Sequence, residues 1–191
     1  MEIILASQSP RRKALMELFR IPFRVLAADI DETMDPTQDP AEQTAQISLA
    51  KAQAIPHKQE DIVIAADTIV VCDGQILGKP RDEADALRML RLLSGRTHQV
   101  MTGLAVLYPG GQQVETQITQ IHFRELTDRE IRAYIRTGEP MDKAGAYGIQ
   151  GGAALFADSM TGDYYNVMGL PVCKLWQLLH QIAPEMMEAS E

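Results

Sequence analysis

An α/β domain is what this sequence predicts, and three observations carry the prediction. Apolar strand-like runs, such as Ile3-Ile4-Leu5-Ala6 and Ile62–Ala66, alternate with amphipathic helical segments. Helix-start signals recur at Ser9-Pro10, Pro40 and Thr127. No internal repeat, low-complexity tract or proline- or serine-rich linker divides the 191 residues, a length suited to one well-buried domain or two small lobes sharing a cleft. A single domain over 1–191 is the expectation.

The elements follow in order. Glu2–Ala6 reads as a strand running into a helix over Pro10–Phe19, with Ser9 as its cap and Ala14, Leu15, Leu18 and Phe19 as its buried face. Pro22–Ala28 reads as a second strand, and the acidic, proline-bearing stretch Asp29–Pro40 as a loop. Pro40 opens a helix to Ala54 with Ala45, Leu49 and Ala52 inward. Ile62–Ala66 is a buried strand that Thr68–Cys72 continues; Asp73-Gly74 turns it back into Gln75–Leu77. Asp82–Leu93 is an amphipathic helix closed by Gly95. Thr97–Tyr108 and Gln112–Phe123 pair around Pro109-Gly110-Gly111, and Thr127 caps a helix to Arg136. Beyond the glycine-rich stretch Gly138–Gly152, a short strand is expected at Ala153–Phe156 and a turn at Thr161-Gly162. The last helix spans Leu170–Ile182, before a polar tail that includes Met186-Met187.

Composition narrows the function. A net charge of -8 argues against broad nucleic-acid binding, which needs an extended basic surface, but leaves room for a small anion held by a local cluster of bases. Cys72 and Cys173 are far apart and in no metal or disulfide spacing, which fits a reducing compartment. The start of the chain lacks a basic signal-peptide region. The longest apolar stretch, Ile62–Val71, is interrupted by Asp67 and too short to cross a bilayer. A cytoplasmic location with no membrane partner is expected. The histidines, His57, His98, His122 and His180, are scattered without metal spacing.

Three stretches carry chemistry. In "SPRRK", Ser9–Lys13, three bases occupy the first turn of a helix, where the dipole disfavours them. A phosphate over the helix N-terminus removes the conflict, because the free N–H groups and the forked guanidinium groups of Arg11 and Arg12 all favour an anion. The alternative is that these bases are solvated, at a cost of about 0.3–1 kcal/mol. In "VIAADTIVV", Val63–Val71, a lone carboxylate stands among apolar residues. Asp67 must be exposed at a strand end, paired with a base, or bound to a metal. Lys79 of Gly78-Lys79-Pro80 is a candidate base, and "DIDE" at Asp29–Glu32 supplies further carboxylates suited to Mg²⁺ or Mn²⁺. In "EPMDKAGAYGIQGG", Glu139–Gly152, four glycines permit close backbone approach. There the Gln150 amide suits the edge of a nucleobase, while Tyr147 either stacks on a base or belongs to the core.

Together "LASQSPRR" (5–12), "AADTIV" (65–70), "GKP" (78–80), "LSGRTHQVMT" (93–102), "DKAGAYGIQG" (142–151) and "NVMGLP" (166–171) resemble the Maf family of nucleotide pyrophosphatases, in the family's order and over nearly the whole chain. The resemblance implies a single Maf-like domain: an elongated mixed sheet flanked by helices, two lobes with a central cleft, related to inosine triphosphate pyrophosphatases. It implies hydrolysis of a nucleoside triphosphate to the monophosphate and pyrophosphate with a divalent metal, and a house-cleaning role linked to division arrest. By resemblance Asp67 is the proton acceptor, and Asp67 with Glu32 holds the metal. Arg11, Thr68 and Gln150 match specificity positions, while Ser7, Arg12, Lys51 and Lys79 match substrate-binding positions. Thr68 and Gln150 resemble the dTTP/UTP branch, whereas the 7-methyl-GTP branch carries Gln after the key Asp. A non-catalytic nucleotide-binding regulator of septum formation and a 7-methyl-GTP pyrophosphatase stand as alternatives. A homodimer is the expected assembly.

Overall fold

Strand and helix alternate as the patterning predicts. The structure, a computed structural model, describes residues 1–188, so the end of the expected polar tail, residues 189–191, lies outside the described residues. Strand β1 (Ile3–Ala6) leads into helix α1 (Pro10–Glu17), then β2 (Phe23–Leu26), α2 (Pro40–Gln53), β3 (Ile62–Cys72), β4 (Gln75–Leu77) and α3 (Glu83–Leu93). Strands β5 (Thr97–Tyr108) and β6 (Gly111–Phe123) precede α4 (Asp128–Ile135) and three short 3₁₀ turns, Glu139–Asp142, Ala144–Ala146 and Gly152–Leu155. The chain ends through β7 (Ala157–Thr161), α5 (Tyr164–Met168), α6 (Val172–Ile182) and α7 (Pro184–Glu188).

The sheet is mixed, as expected. Six strands run in the order β2-β1-β3-β5-β6-β7, and β4 pairs with β3 off this path. β1 is parallel to both β2 and β3, with Ile3 opposite Phe23 and Ile62; β4 is antiparallel to β3, and β7 to β6. The turn between β3 and β4 has two residues, Asp73 and Gly74, both at positive φ, the geometry a two-residue hairpin demands.

The chain forms two compact units. The first comprises residues 1–67, 102–117 and the chain from Gly169; the second comprises 68–101 and 118–168. Each has its own core. In the first, Ile4, Ala6, Val63, Ala65 and Ala105 of the sheet pack with Ala52 and Ile55. In the second, Met89, Leu90 and Leu93 of α3 and Ile131, Tyr134 and Ile135 of α4 close over Val100, Ile121 and Phe123.

Several expectations need correction. α1 stops at Glu17, and its buried side is Leu15, Met16 and Phe19, with Ala14 and Leu18 exposed. At 3.6 residues per turn the buried three share one narrow arc, and the other two fall beside it. α2 buries Gln43, Thr44, Ile47, Ser48, Lys51 and Ala52, while Ala45 and Leu49 are only half-buried. Its polar side chains are satisfied locally: the Thr44 hydroxyl donates to the Pro40 carbonyl at 2.6 Å and Ser48 to Ala45 at 2.7 Å. The strand expected at Ala153–Phe156 is a 3₁₀ turn, with β7 beginning at Ala157. Its three-residue period turns Ala153 and Phe156 into the core and leaves Leu155 76% exposed. Met187 is not part of a solvated tail; it lies buried in α7.

Candidate active site

The site residues predicted in the first unit gather where β1 ends. Ser9 caps α1, its side chain accepting from the Arg12 amide, and Pro10 occupies the first helical position, where its missing N–H costs nothing. The Ser7 hydroxyl, buried just past β1, accepts from the Ser9 amide at 3.2 Å and from Arg12 Nη1 at 3.4 Å. Arg12 Nε donates to the Gly169 carbonyl at 2.7 Å. This anchor was not anticipated; its only trace in the sequence is the glycine of "NVMGLP", and Gly169 sits at φ 107°, a conformation glycine adopts freely. Burial lowers the pKa of the Arg12 guanidinium; Asp67 and Glu32 oppose that shift and Arg11 adds to it.

Asp67 is paired with a base, as one reading of its apolar surroundings requires. The base is Lys51 rather than Lys79: Lys51 Nζ stands 2.7 Å from Asp67 Oδ1 and 3.0 Å from Glu32 Oε1. Lys51 and Asp67 are both buried, and Glu32 is half-exposed. Extending the β1–β3 register carries Asp67 just beyond the end of β1, at the carboxyl end of parallel strands, where open α/β sheets bind ligands. Lys51 gets there because α2 presents its 43-47-51 face inward. The first unit thus gathers Ser7, Arg12, Glu32, Lys51 and Asp67, with the half-buried Arg11 on the same helical turn as Arg12.

Two carboxylates within reach of one ammonium form an all-oxygen donor pair. That set fits Mg²⁺ or Mn²⁺, which take one or two carboxylates and complete their shell with phosphate oxygens and water. No group of three or more His, Cys, Asp or Glu side chains that could hold a metal occurs among the described residues, so the protein by itself offers a partial shell.

The remaining predicted residues, Thr68, Lys79 and Gln150, belong to the second unit. Thr68 is half-buried on β3, while Lys79 and Gln150 are exposed. The segments bearing the latter two are tied together, since the Gly145 amide donates to the Gly78 carbonyl at 3.0 Å. Tyr147 is a core residue: it is buried, its hydroxyl is 2.8 Å from His98 Nε2, and its ring meets Phe123 edge-on. Burial pushes the His98 imidazole down to about 4.

A family profile described as Maf-like protein matches residues 2–182. The chain belongs to the Maf-like protein family. This Maf-like chain is 51% identical over 174 residues to a dTTP/UTP pyrophosphatase of Geobacillus sp. (strain WCH70), covering 91% of this chain and 94% of that protein. A dTTP/UTP pyrophosphatase of Alkaliphilus metalliredigens (strain QYMF) is 45% identical over 183 residues, 94% of this chain and 95% of the relative. Among solved structures, a HAM1 protein from Coxiella burnetii shares the fold of the Maf-like chain, with a TM-score of 0.51 at 14% identity over 95% of this chain and 99% of the other. No helix among the described residues is long and apolar enough to cross a membrane.

Proposed function

We propose that this chain is a nucleoside triphosphate pyrophosphatase that converts dTTP and UTP to the monophosphate and pyrophosphate. The observation that carries the reading is the buried Asp67–Lys51 pair, with Glu32 on the same ammonium and Arg12 beside it. A pure binder of anions has little use for carboxylates there, whereas a hydrolase needs a base and a cation site next to its phosphate clamp. Membership of the Maf-like family and the names of its relatives support the same reading.

In this mechanism the α1 N-terminus, Arg11 and Arg12 hold the triphosphate, with Ser7 and the Gly169 carbonyl fixing the plane of Arg12. Lys51 aims the Asp67 carboxylate by donating to its Oδ1 at 2.7 Å. Asp67 accepts a proton from a water that attacks the α-phosphorus; the α–β bridging P–O bond breaks and pyrophosphate leaves. A divalent cation held by Asp67 and Glu32 would neutralise phosphate charge and acidify water. Lys79 adds charge to the phosphates, and Thr68 and Gln150 read the pyrimidine edge. Catalysis is positioning and charge stabilisation, without a covalent intermediate. A role in cleansing the nucleotide pool of the cytoplasm goes with this reading, and a homodimer is the base-rate assembly.

The test is a panel of dTTP, UTP and 7-methyl-GTP with Mg²⁺ or Mn²⁺ and product identification. Pyrophosphate with dTMP or UMP is expected, and Asp67→Asn should lower kcat by about 10²–10⁴-fold while the fold persists. Near-wild-type turnover in that variant removes Asp67 from the base role. Faster cleavage of 7-methyl-GTP overturns the pyrimidine assignment, and nucleotide binding without any product favours the regulator.

A further inference from the structure

The glycines of "GIQGG" leave a question that base recognition does not answer: why four of the eight residues from Gly145 to Gly152 are glycine. The answer lies in a neighbour in the second unit. The carboxylate of Glu139 lies against this loop. Its Oε1 accepts from the Tyr134 hydroxyl at 2.9 Å, and that hydroxyl in turn accepts from the Gly148 amide at 2.9 Å. Its Oε2 accepts directly from the Gly152 amide at 3.0 Å. One carboxylate therefore holds both ends of a five-residue loop whose midpoint is Gln150, the residue assigned above to the base. Inside the loop the Gly151 amide donates to the Gly148 carbonyl at 3.0 Å, so the segment between the two anchors is a closed turn.

The glycines make room for this arrangement. A Cβ at Gly151 would stand 2.0 Å from Glu139 Oε1, one at Gly148 2.9 Å from the same oxygen, and one at Gly152 3.1 Å from the Tyr134 ring. Burial, and with it the nearby Glu139 carboxylate, pushes the Tyr134 phenol above its ordinary value. The phenol thus stays protonated and keeps donating to Glu139 while it accepts from Gly148. The Lys143 ammonium donates to the Glu139 carbonyl at 2.6 Å and steadies the same turn from its other side.

We propose that Glu139, acting with Tyr134, is a positioning residue for specificity: it clamps the Gly148–Gly152 loop so that the Gln150 amide is presented in one orientation to the nucleobase. The role rests on the proposed reading of Gln150 as the base-recognising residue. Glu139 touches no reacting atom and no phosphate in this scheme, so its loss acts on discrimination between bases and leaves the phosphate chemistry intact.

Two measurements test this on the intact chain. The first is amide hydrogen exchange in the absence of nucleotide. Glu139→Ala should speed exchange at Gly152 by about tenfold or more, since that amide loses its acceptor, and also speed it at Gly148, since Tyr134, which accepts from that amide, loses the carboxylate that holds its hydroxyl. The milder Tyr134→Phe should release Gly148 and spare Gly152. Unchanged exchange at both amides in both variants overturns the clamp. The second compares kcat/KM for UTP with that for ribose 5-triphosphate, which carries no base. Glu139→Ala and Gln150→Ala should each lower the UTP value by about tenfold or more and leave the base-free substrate within about twofold, with the double variant no worse than either single one. Glu139→Gln, which keeps the shape and one acceptor oxygen, should recover part of the loss. An equal loss on both substrates means that Glu139 is merely structural and overturns the proposal. Faster exchange combined with full UTP activity in Gln150→Ala instead overturns the reading of Gln150, and with it the specificity role, while leaving the clamp itself demonstrated.

Discussion

Lys51 carries a large share of the energetics of the candidate site. Its ammonium is buried between Asp67 and Glu32, so its removal strands a desolvated carboxylate. Breaking such a pair costs about 3–5 kcal/mol, whereas an exposed partner is worth under about 1 kcal/mol. Lys51→Met should therefore lower unfolding stability in urea by about 3 kcal/mol, and Glu32→Gln by less than about 1 kcal/mol. Equal effects would show that burial does not set the balance. His98 offers a second prediction at this scale. Its folded pKa, near 4, lies below the ordinary 6.5, so between those values the unfolded chain binds a proton that the folded chain refuses. Stability must fall as pH drops from 6.5 towards 4, by roughly 3 kcal/mol from this group, and the contribution flattens below that. NMR titration should find the His98 ring neutral down to about pH 4, and His98→Asn should flatten the stability profile across the window.

Elements here are held by backbone proximity as much as by apolar stripes. Gly103 on β5 is the clearest case: a Cβ there would stand 2.3 Å from the Thr44 carbonyl oxygen of α2. Backbone cannot retreat as a flexible side chain can, so Gly103→Ala should destabilise the protein by at least about 1–3 kcal/mol, measured by denaturant unfolding. Because α2 also delivers Lys51, the same variant should lose turnover. The α4 cap is pH-dependent in its own way. Arg124 first, then the Thr127 amide and hydroxyl, hold the Glu130 carboxyl down to about 2, completing a capping box. A depressed acid stabilises above its ordinary pKa and stops doing so as pH falls through the folded one. Amide protection in the first turn of α4 should accordingly be full above pH 4.5 and decline progressively as pH falls towards 2.

At the scale of the whole molecule, an anionic substrate approaches a chain of net charge -8. The net charge disfavours long-range attraction, so on the proposed reading affinity comes from the local cluster of Arg11, Arg12 and Lys51, with a cation to neutralise the carboxylates. A non-hydrolysable UTP analogue with Mg²⁺ should raise the thermal midpoint, by about 2.7 kcal/mol of stabilisation at a hundredfold excess over Kd. The analogue with chelator should raise it much less. Equal stabilisation with and without cation would remove the metal from the binding scheme.

Much was legible in the residues alone because it rests on local rules. Ser9-Pro10, Pro40 and Thr127 announced their helices through cap and first-turn chemistry, and Asp73-Gly74 announced its hairpin through backbone handedness. Asp67 stood out because a carboxylate in an apolar strand has few tolerable fates. Which fate applied was not legible. The choice of Lys51 over Lys79 depends on which face α2 turns inward, and that face is polar and close-packed on Gly103, so hydrophobic periodicity carries no trace of it. The 3₁₀ turn at Gly152–Leu155, the buried Met187 and the hold of Glu139 on the glycine loop were hidden for the same reason. The sequence by itself determined most of the elements, the charged groups and the family. Only the tertiary structure decided which charges meet, because partners far apart in the chain are chosen by packing geometry rather than by local propensity.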